Sequence, residues 1–336
     1  MRFRRWRMAC GAGSHDGGRV VARQFLPVRH GILRPRRCAH HQRGAVDRPG
    51  GLTKQPASRR GRLSGSNGVL VANLGSNSVD ASAASKGSSF VCPNCEEAVL
   101  LHRGPIKIPH FQHKSKNACD HGVGETELHR SLKLRLCKAW YGREKIEASI
   151  EKRVNDSFGA KRFLDVWIRS PKGRDVAIEI VHQNDGLEGI LEKNYWLLSR
   201  QIAPIWISVI RAGQEEIFAT KSQGLVVERY IPSAFEKWAH GLTFGELYLA
   251  LSNGIIVCAK FEDHFLVREE TTYFDENERE HRTNDGGWYK SKKFRNLKIL
   301  WKRGPTDLNI SFQQRNLLRA KNYEYPQGVV GRLVPR

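Results

Sequence analysis

Apolar residues recur every four positions at Leu128, Leu132, Leu136 and Trp140, which predicts an amphipathic helix over about 126–140. The period then changes. Ile146, Ala148, Ile150 and Val154 fall on one face of a strand, and Glu147 and Glu151 take the other. Arg162–Arg169 and Asp175–His182 predict two further strands, joined by the turn residues Ser170-Pro-Lys-Gly-Arg174. Leu191, Tyr195 and Leu198 mark the inner face of a helix over 187–201, and Pro204–Ile210 is a buried strand. A right-handed crossover through that helix predicts a strand parallel to Asp175–His182. The order is α-β-β-β-α-β.

Beyond residue 210 the patterns are weaker. Phe235–His240 and Phe244–Leu251 read as helices, Ile255–Phe261 as a strand, and 268–297 as polar with both charges. The stretch after Arg319 ends in Pro, Gly and Arg and reads as loose. Residues 1–67 show no apolar period at all and are rich in Gly, Pro and Ser, so they read as disordered. These shifts divide the chain into a head (1–67), a small block (68–124), a core (125–210), an accessory region (211–319) and a tail (320–336).

Charge sharpens the first boundary. Of a net +22 over 336 residues, the head carries +14, from fifteen Arg and Lys54 against Asp16 and Asp47, and the rest only +8. Three readings of the head compete: a basic nucleic-acid-binding arm, a targeting segment, or a stretch outside the natural protein. The abrupt change near residue 68 favours the third, with a natural start near Val69 or Val71, since Met1 and Met8 are the only methionines. No apolar run is long enough to span a membrane, and no apolar stretch follows the basic start as in a secretory signal. Seven scattered cysteines do not form a disulfide framework, so a reducing, cytoplasmic setting is expected.

Some of those cysteines cluster with histidines. Cys92-Pro-Asn-Cys95 places two thiolates within reach of one ion, and His110-Phe-Gln-His113, Cys119 and His121 follow. Such N/S ligands suit a tetrahedral Zn²⁺ that staples a block too small to hold itself by burial. Cys92, Cys95, His113 and Cys119 are the expected four, with His110 and His121 as rivals for the histidine place. Cys137 and Cys258 lie apart and read as core residues, while Cys10 and Cys38 belong to the head.

The hairpin supplies a second chemistry. If its turn centres on Lys172, Asp165 and Glu179 face each other across the ladder with Cβ atoms about 5 Å apart. Both interrupt apolar strands, where like charges repel. A divalent cation removes the conflict, and hard oxygen ligands suit Mg²⁺ or Mn²⁺, which can activate a water against a phosphodiester. The alternative is a pair of edge acids satisfied by Arg162 or Lys161.

Together these residues resemble the competence protein CoiA-like family. The likeness runs from Leu70-Val-Ala-Asn through Cys-Pro-Asn-Cys, Gly104-Pro-Ile-Lys-Ile-Pro-His-Phe-Gln-His-Lys114 and Glu125-Thr-Glu-Leu-His-Arg-Ser-Leu-Lys133. It continues through Arg162-Phe-Leu-Asp165-Val, Ala177-Ile-Glu179-Ile and Pro204-Ile-Trp-Ile207, and so spans about 70–210. The resemblance implies an α/β fold. Its core is restriction-endonuclease-like, of PD-(D/E)XK type, with a small zinc-binding β-hairpin domain before it and a mixed α+β region after it. It also implies Asp165 and Glu179 as magnesium ligands, with Glu127 as a helical acid beside His129 and Lys133. The family's third motif reads Glu-x-Lys or Glu-x-Gln, whereas this chain has Glu179-Ile-Val181. His182, Gln183 or Lys193 are stand-ins for the missing polar group, and Glu147 or Glu151 a further ligand.

Three functions are open. The first is a metal-dependent DNA nuclease with structural zinc and catalytic Mg²⁺ or Mn²⁺, with Asp165, Glu179, Glu127 and Lys193 as its catalytic residues and DNA uptake and recombination in transformation as its setting. The second is a DNA-binding module that kept the fold and lost cleavage. The third is a zinc-stapled interaction protein. DNA is the expected partner, without a membrane or a small-molecule cofactor. Trp288, Lys290, Lys292 and Lys293, with Tyr289 and Arg295, interleave rings and cations as a nucleic-acid contact does.

Overall fold

The computed structural model describes residues 68–336 apart from 115–118, 120, 123–124, 156–160, 183–185, 212, 221–223 and 321. The Arg-rich head, with Cys10 and Cys38, and Gln183 lie outside the described residues. The protein is a mixed α/β molecule dominated by strands, and none of its described helices is long and apolar enough to cross a membrane.

Six short strands form the first sheet: β1 (Gly68–Val69), β2 (Val71–Leu74), β3 (Asn77–Asp80), β4 (Phe90–Val91), β5 (Ala98–His102) and β6 (His110–His113). They pair antiparallel in the order β1-β6-β5-β4-β2-β3. Their core is small, with Phe90 and Phe111 in ring contact over Val69, Ala72 and Val99. A core of this size contributes little burial energy, which is the condition under which a bound metal matters.

The core elements fall in the expected order: α1 (Glu127–Trp140), β7 (Glu147–Asn155), β8 (Lys161–Arg169), β9 (Asp175–Val181), α2 (Leu187–Ser199) and β10 (Ala203–Val209). Thr126 caps α1 by accepting the His129 N–H, and Leu132, Leu136 and Trp140 bury as the four-residue period requires. The β8–β9 turn closes through Ser170 N–H to Arg174 O and Gly173 N–H to Ser170 O. It sets Val166 opposite Ile178, which is the register centred on Lys172. β9 and β10 are parallel.

The chain continues with α3 (Glu215–Thr220), β11 (Val226–Tyr230), α4 (Ala234–Leu242), β12 (Leu247–Ala250), β13 (Ile256–Arg268), β14 (Thr271–Phe274), β15 (Glu280–Asn284) and β16 (Gly287–Arg303). It ends with β17 (Leu308–Arg315), β18 (Leu318–Arg319), β19 (Glu324–Tyr325) and β20 (Gly328–Pro335). One eight-stranded sheet, in the order β11-β16-β13-β12-β10-β9-β8-β7, joins strands from both sides of residue 210. α1 covers one face, packed with Val166, Ile178 and Ile205. α2 and α4 cover the other, with Leu197, Trp206 and Trp238. The central strands are therefore buried on both faces.

Three expectations are corrected. Tyr195, expected on the inner face of α2, is exposed and donates its hydroxyl to Glu324. Phe244–Leu251 is not helical: Phe244 and Gly245 take positive φ and the apolar run that follows is β12. A short run that is apolar on every residue suits a central strand as well as a buried helix, and periodicity alone cannot separate them. The tail is not loose either. β20 pairs with β17, and Val330 and Leu333 are fully buried. Gly331 passes so close to β10 that a Cβ there would meet the Ile205 side chain at 2.6 Å.

Leu333→Ala removes a buried side chain that touches the α1-side core, and the expected loss is about 2–5 kcal/mol of unfolding free energy. Denaturant titration checks this, and a loss under about 0.5 kcal/mol would mean that β20 is not part of the folded unit.

Candidate metal centre and acidic site

Cys92 and Cys95 sit on the turn after β4, where Glu96 N–H reaches Cys92 O at 2.9 Å and Asn94 N–H lies 3.4 Å from Cys92 Sγ. His113 ends β6, opposite Val99 of β5. Cys119 returns to the same point. Cys92 Sγ is 3.8 Å from Cys119 Sγ, and His113 Nε2 is 3.4 Å from both Cys95 Sγ and Cys119 Sγ. A tetrahedral zinc with Zn–S near 2.3 Å and Zn–N near 2.0 Å spaces its ligands by about 3.8 Å (S to S) and about 3.5 Å (S to N). The observed spacings fit, and all four ligand atoms lie within 4.8 Å of one another, so the four can hold a zinc ion. Burial pushes the Cys92 thiol up to about 12, against the pull of the Cys95 and Asn94 backbone N–H groups. A cation offsets that cost.

The two rival histidines separate. His110 gives Nδ1 to Ile108 O at 2.8 Å and stacks on His102, outside the cluster. His121 stands beside it, with Nδ1 3.8 Å from Cys92 Sγ, its ring 3.9 Å from Phe163, and Nε2 4.0 Å from Glu151 Oε2. Burial lowers its pKa to about 4. Cys137 is half-buried and Cys258 buried, both away from the cluster.

The second site lies where the main sheet breaks its own ladder. Ile150 pairs with Val166 and Lys152 with Leu164, but the level between them, Glu151 and Asp165, is unpaired. Glu151 has φ +46, a left-handed conformation that costs a non-glycine residue about 1 kcal/mol. It turns the carboxylate inward, so Glu151 is buried while Glu147 stays exposed. Glu151 Oε2 accepts the N–H groups of Leu70 and Val71 at 2.9 and 3.2 Å. Its Oε1 lies 3.3 Å from Lys133 Nζ.

Lys133, from α1, is 2% exposed and also reaches Glu125 and, at 3.1 Å, Asp165 Oδ1. Asp165 Oδ2 faces His129 Nε2 at 3.2 Å and accepts the Ile180 N–H at 2.9 Å. Burial works to raise the Asp165 pKa, but Lys133 and His129 outweigh it and hold the carboxyl well below its usual range. The same three carboxylates keep Lys133 firmly protonated despite its burial.

Glu179 takes a different partner. Its Oε2 is 2.6 Å from Lys193 Nζ of α2, which also donates to Phe163 O at 2.9 Å. The β8–β9 ladder ends at Val166–Ile178, one level short of the two acids, and Asp165 is held by α1 while Glu179 is held by α2. Burial pushes Glu179 up to about 7, with Lys193 opposing and Asp165 adding to the rise. At this site, among the described residues, Glu125, His129 and Asp165 bring their ligand atoms close enough together to hold one ion. Glu127 is turned away: it accepts the Ile108 N–H at 2.7 Å and pairs with Arg130 at 3.0 Å. His182 lies at the rim, 3.3 Å from Thr126 Oγ1, its ring 5.3 Å from that of His129.

Residues 75–122, the stretch that holds all four cysteine and histidine ligands, match the family model described as competence protein CoiA, N-terminal domain. The chain is CoiA-like. No curated protein and no solved structure matches it significantly.

In this CoiA-like chain the sequence pattern missed Glu125. The signal was present: Thr126 as N-cap starts the helix at Glu127, which leaves Glu125 outside the helix and free to fold back onto Lys133. Trp288, Lys290, Lys292 and Lys293 lie on β16, and no ligand atom of the acidic site is among them.

The protein is expected to carry one zinc per chain. Cys95→Ser and Cys119→Ser should lose it by elemental analysis while His110→Ala keeps it; zinc retained by both serine variants would exclude this centre. At the second site, Glu179 has its folded pKa above the usual 4.5. The native state then holds that proton more tightly than the unfolded chain, and this contribution to stability fades as pH rises from about 4.5 through about 7. Glu179→Gln keeps the neutral form, so without added divalent ions its Tm should exceed that of the wild type at about pH 8 but not at about pH 5. An equal difference at both pH values would show that the carboxyl is not perturbed.

Proposed function

We propose that this CoiA-like chain is a metal-dependent nuclease acting on DNA, built on a PD-(D/E)XK-type arrangement. The observation that carries the reading is an uncompensated buried charge. Among the described residues, the ammonium groups that meet Glu125, Glu151, Asp165 and Glu179 are Lys133 and Lys193, with His129 beside Asp165 and His121 beside Glu151, and nearby Arg130 pairs with Glu127. Four carboxyl groups against two ammonium groups leave a surplus of negative charge once Glu179 is ionised, which a divalent cation would offset. Among the described residues, Glu125 Oε2 and Glu179 Oε1 are buried without a hydrogen-bond partner, and a buried acceptor left so is costly. Both features fit a hard cation held by Glu125 and Asp165 with Glu179 beside them. Bound there, Mg²⁺ or Mn²⁺ would activate water and neutralise charge developing on a phosphodiester.

The chain's own groups support this. Lys193 is a quarter exposed, so its ammonium reaches from the Glu179 carboxylate toward solvent and can meet a phosphate oxygen. It supplies the cation that Val181, buried and apolar, does not. His129 and the Ile180 N–H fix the Asp165 carboxylate in place. DNA uptake and recombination in transformation is the process that suits a CoiA-like chain. One observation favours the rival, a DNA-binding module without cleavage: Lys133 already bridges three of the four carboxylates.

Labelled single-stranded, duplex and branched DNA incubated with the full chain in Mg²⁺ or Mn²⁺ tests the two readings. Cleavage that needs the added ion and falls at least about 100-fold in Asp165→Ala, Glu179→Ala and Lys193→Ala is expected. Binding without cleavage, unchanged by all three variants, would establish the module instead.

A further inference from the structure

β13 and β16 continue as a hairpin arm past the irregularity between Asp263 and Phe265. There Phe265 pairs with Lys290, Leu266 with Tyr289, and Val267 with Trp288. Paired residues share a face and alternate pairs share the same one, so Phe265, Val267, Trp288 and Lys290 lie together. Trp288 is 74% exposed, Val267 59% and Phe265 50%. Among the described residues, Phe265, Val267 and Trp288 thus form a cluster of exposed large apolar side chains on one face of the arm.

The charge along the arm is divided. β16 carries seven cations and no acid, while 269–285 carries seven acids and two cations. Lys290 is engaged by Asp263 at 2.7 Å and Lys298 by Glu262 at 3.8 Å. Lys292 and Lys293 have no acidic partner among the described residues.

We infer that the Trp288 face of this arm binds single-stranded nucleic acid. The inference rests on the nucleic-acid reading above and narrows its substrate to unpaired strands. A duplex has its bases already stacked and offers an exposed indole nothing to cover. An unpaired base has a free π-face, and base–aromatic stacking rewards it whatever the sequence. Trp288, with Phe265 and Val267 beside it, supplies the platform, and Lys292 and Lys293 meet the phosphates. The acidic tip repels the same strand and so limits it to the shaft.

The test is fluorescence anisotropy of the full chain without added Mg²⁺ or Mn²⁺. The probes are a 20-nucleotide thymidine strand, an abasic strand of equal length and a 20-base-pair duplex. The ratio of thymidine to abasic affinity cancels any charge contribution of the head. The wild type should prefer the thymidine strand. Trp288→Ala, an exposed change that leaves the core untouched, should weaken that binding by about 5- to 100-fold and leave the abasic strand unaffected. Phe265→Ser should act in the same direction. Lys292→Gln with Lys293→Gln should lower the salt slope by about 1.4 on both strands. Equal affinity for the thymidine and abasic strands, or no effect of Trp288→Ala, would overturn the inference. So would a dimer seen by light scattering that Trp288→Ala abolishes, since the face would then cover a second copy. Intact stacking without cleavage would sink the nuclease reading alone, and cleavage without stacking would sink this one alone.

Discussion

A lysine that is almost wholly withdrawn from water organises this protein. An ammonium group so placed is tolerated only when its charge is met, and Lys133 is met by carboxylates from three segments: Glu125 before α1, Glu151 on β7 and Asp165 on β8. The arrangement fixes the angle at which α1 lies on the sheet. It also explains why the ladder opens at one level, since two of the three carboxylates must leave the pleat to reach the lysine. Removing any one of them leaves charge buried without its match, which is among the costliest changes a core can suffer.

The same contacts tie the cysteine-rich sheet to the core. Glu151 accepts the backbone N–H groups of Leu70 and Val71 at the start of the small sheet, and His121 stands between the Cys92 sulfur and that carboxylate. The step from the ligand cluster to the acidic site thus runs through one histidine, one glutamate and one lysine. The side chains along that path are all largely withdrawn from solvent.

What the sequence disclosed depended on how local the cause was. The four ligands of the cysteine cluster were legible because metal chemistry demands particular residue types in a particular order, whatever the surrounding fold. The register of β8 and β9 was legible because a five-residue turn fixes it. The break in the β7–β8 ladder at Glu151 and Asp165 was not, because it is tied to Lys133 on a different element. Glu125 lost out to Glu127 for a similar reason: two acids separated by one residue look equivalent until the cap decides which of them lies inside the helix. The main sheet's extension past residue 210 was hidden because the pairing of β12 with β10 and of β16 with β11 is long-range, and uniformly apolar runs carry no period to reveal it.

The division of charge along the β13–β16 arm acts at a distance as well as on contact. At physiological salt a field reaches about 8 Å before screening removes most of it. Within that range, a charged body approaching the arm meets a potential that changes sign from shaft to tip. It experiences a torque before it touches any side chain. Productive encounters are thereby selected by orientation, and the selection fades as ionic strength rises, independently of how tightly anything is held once it arrives.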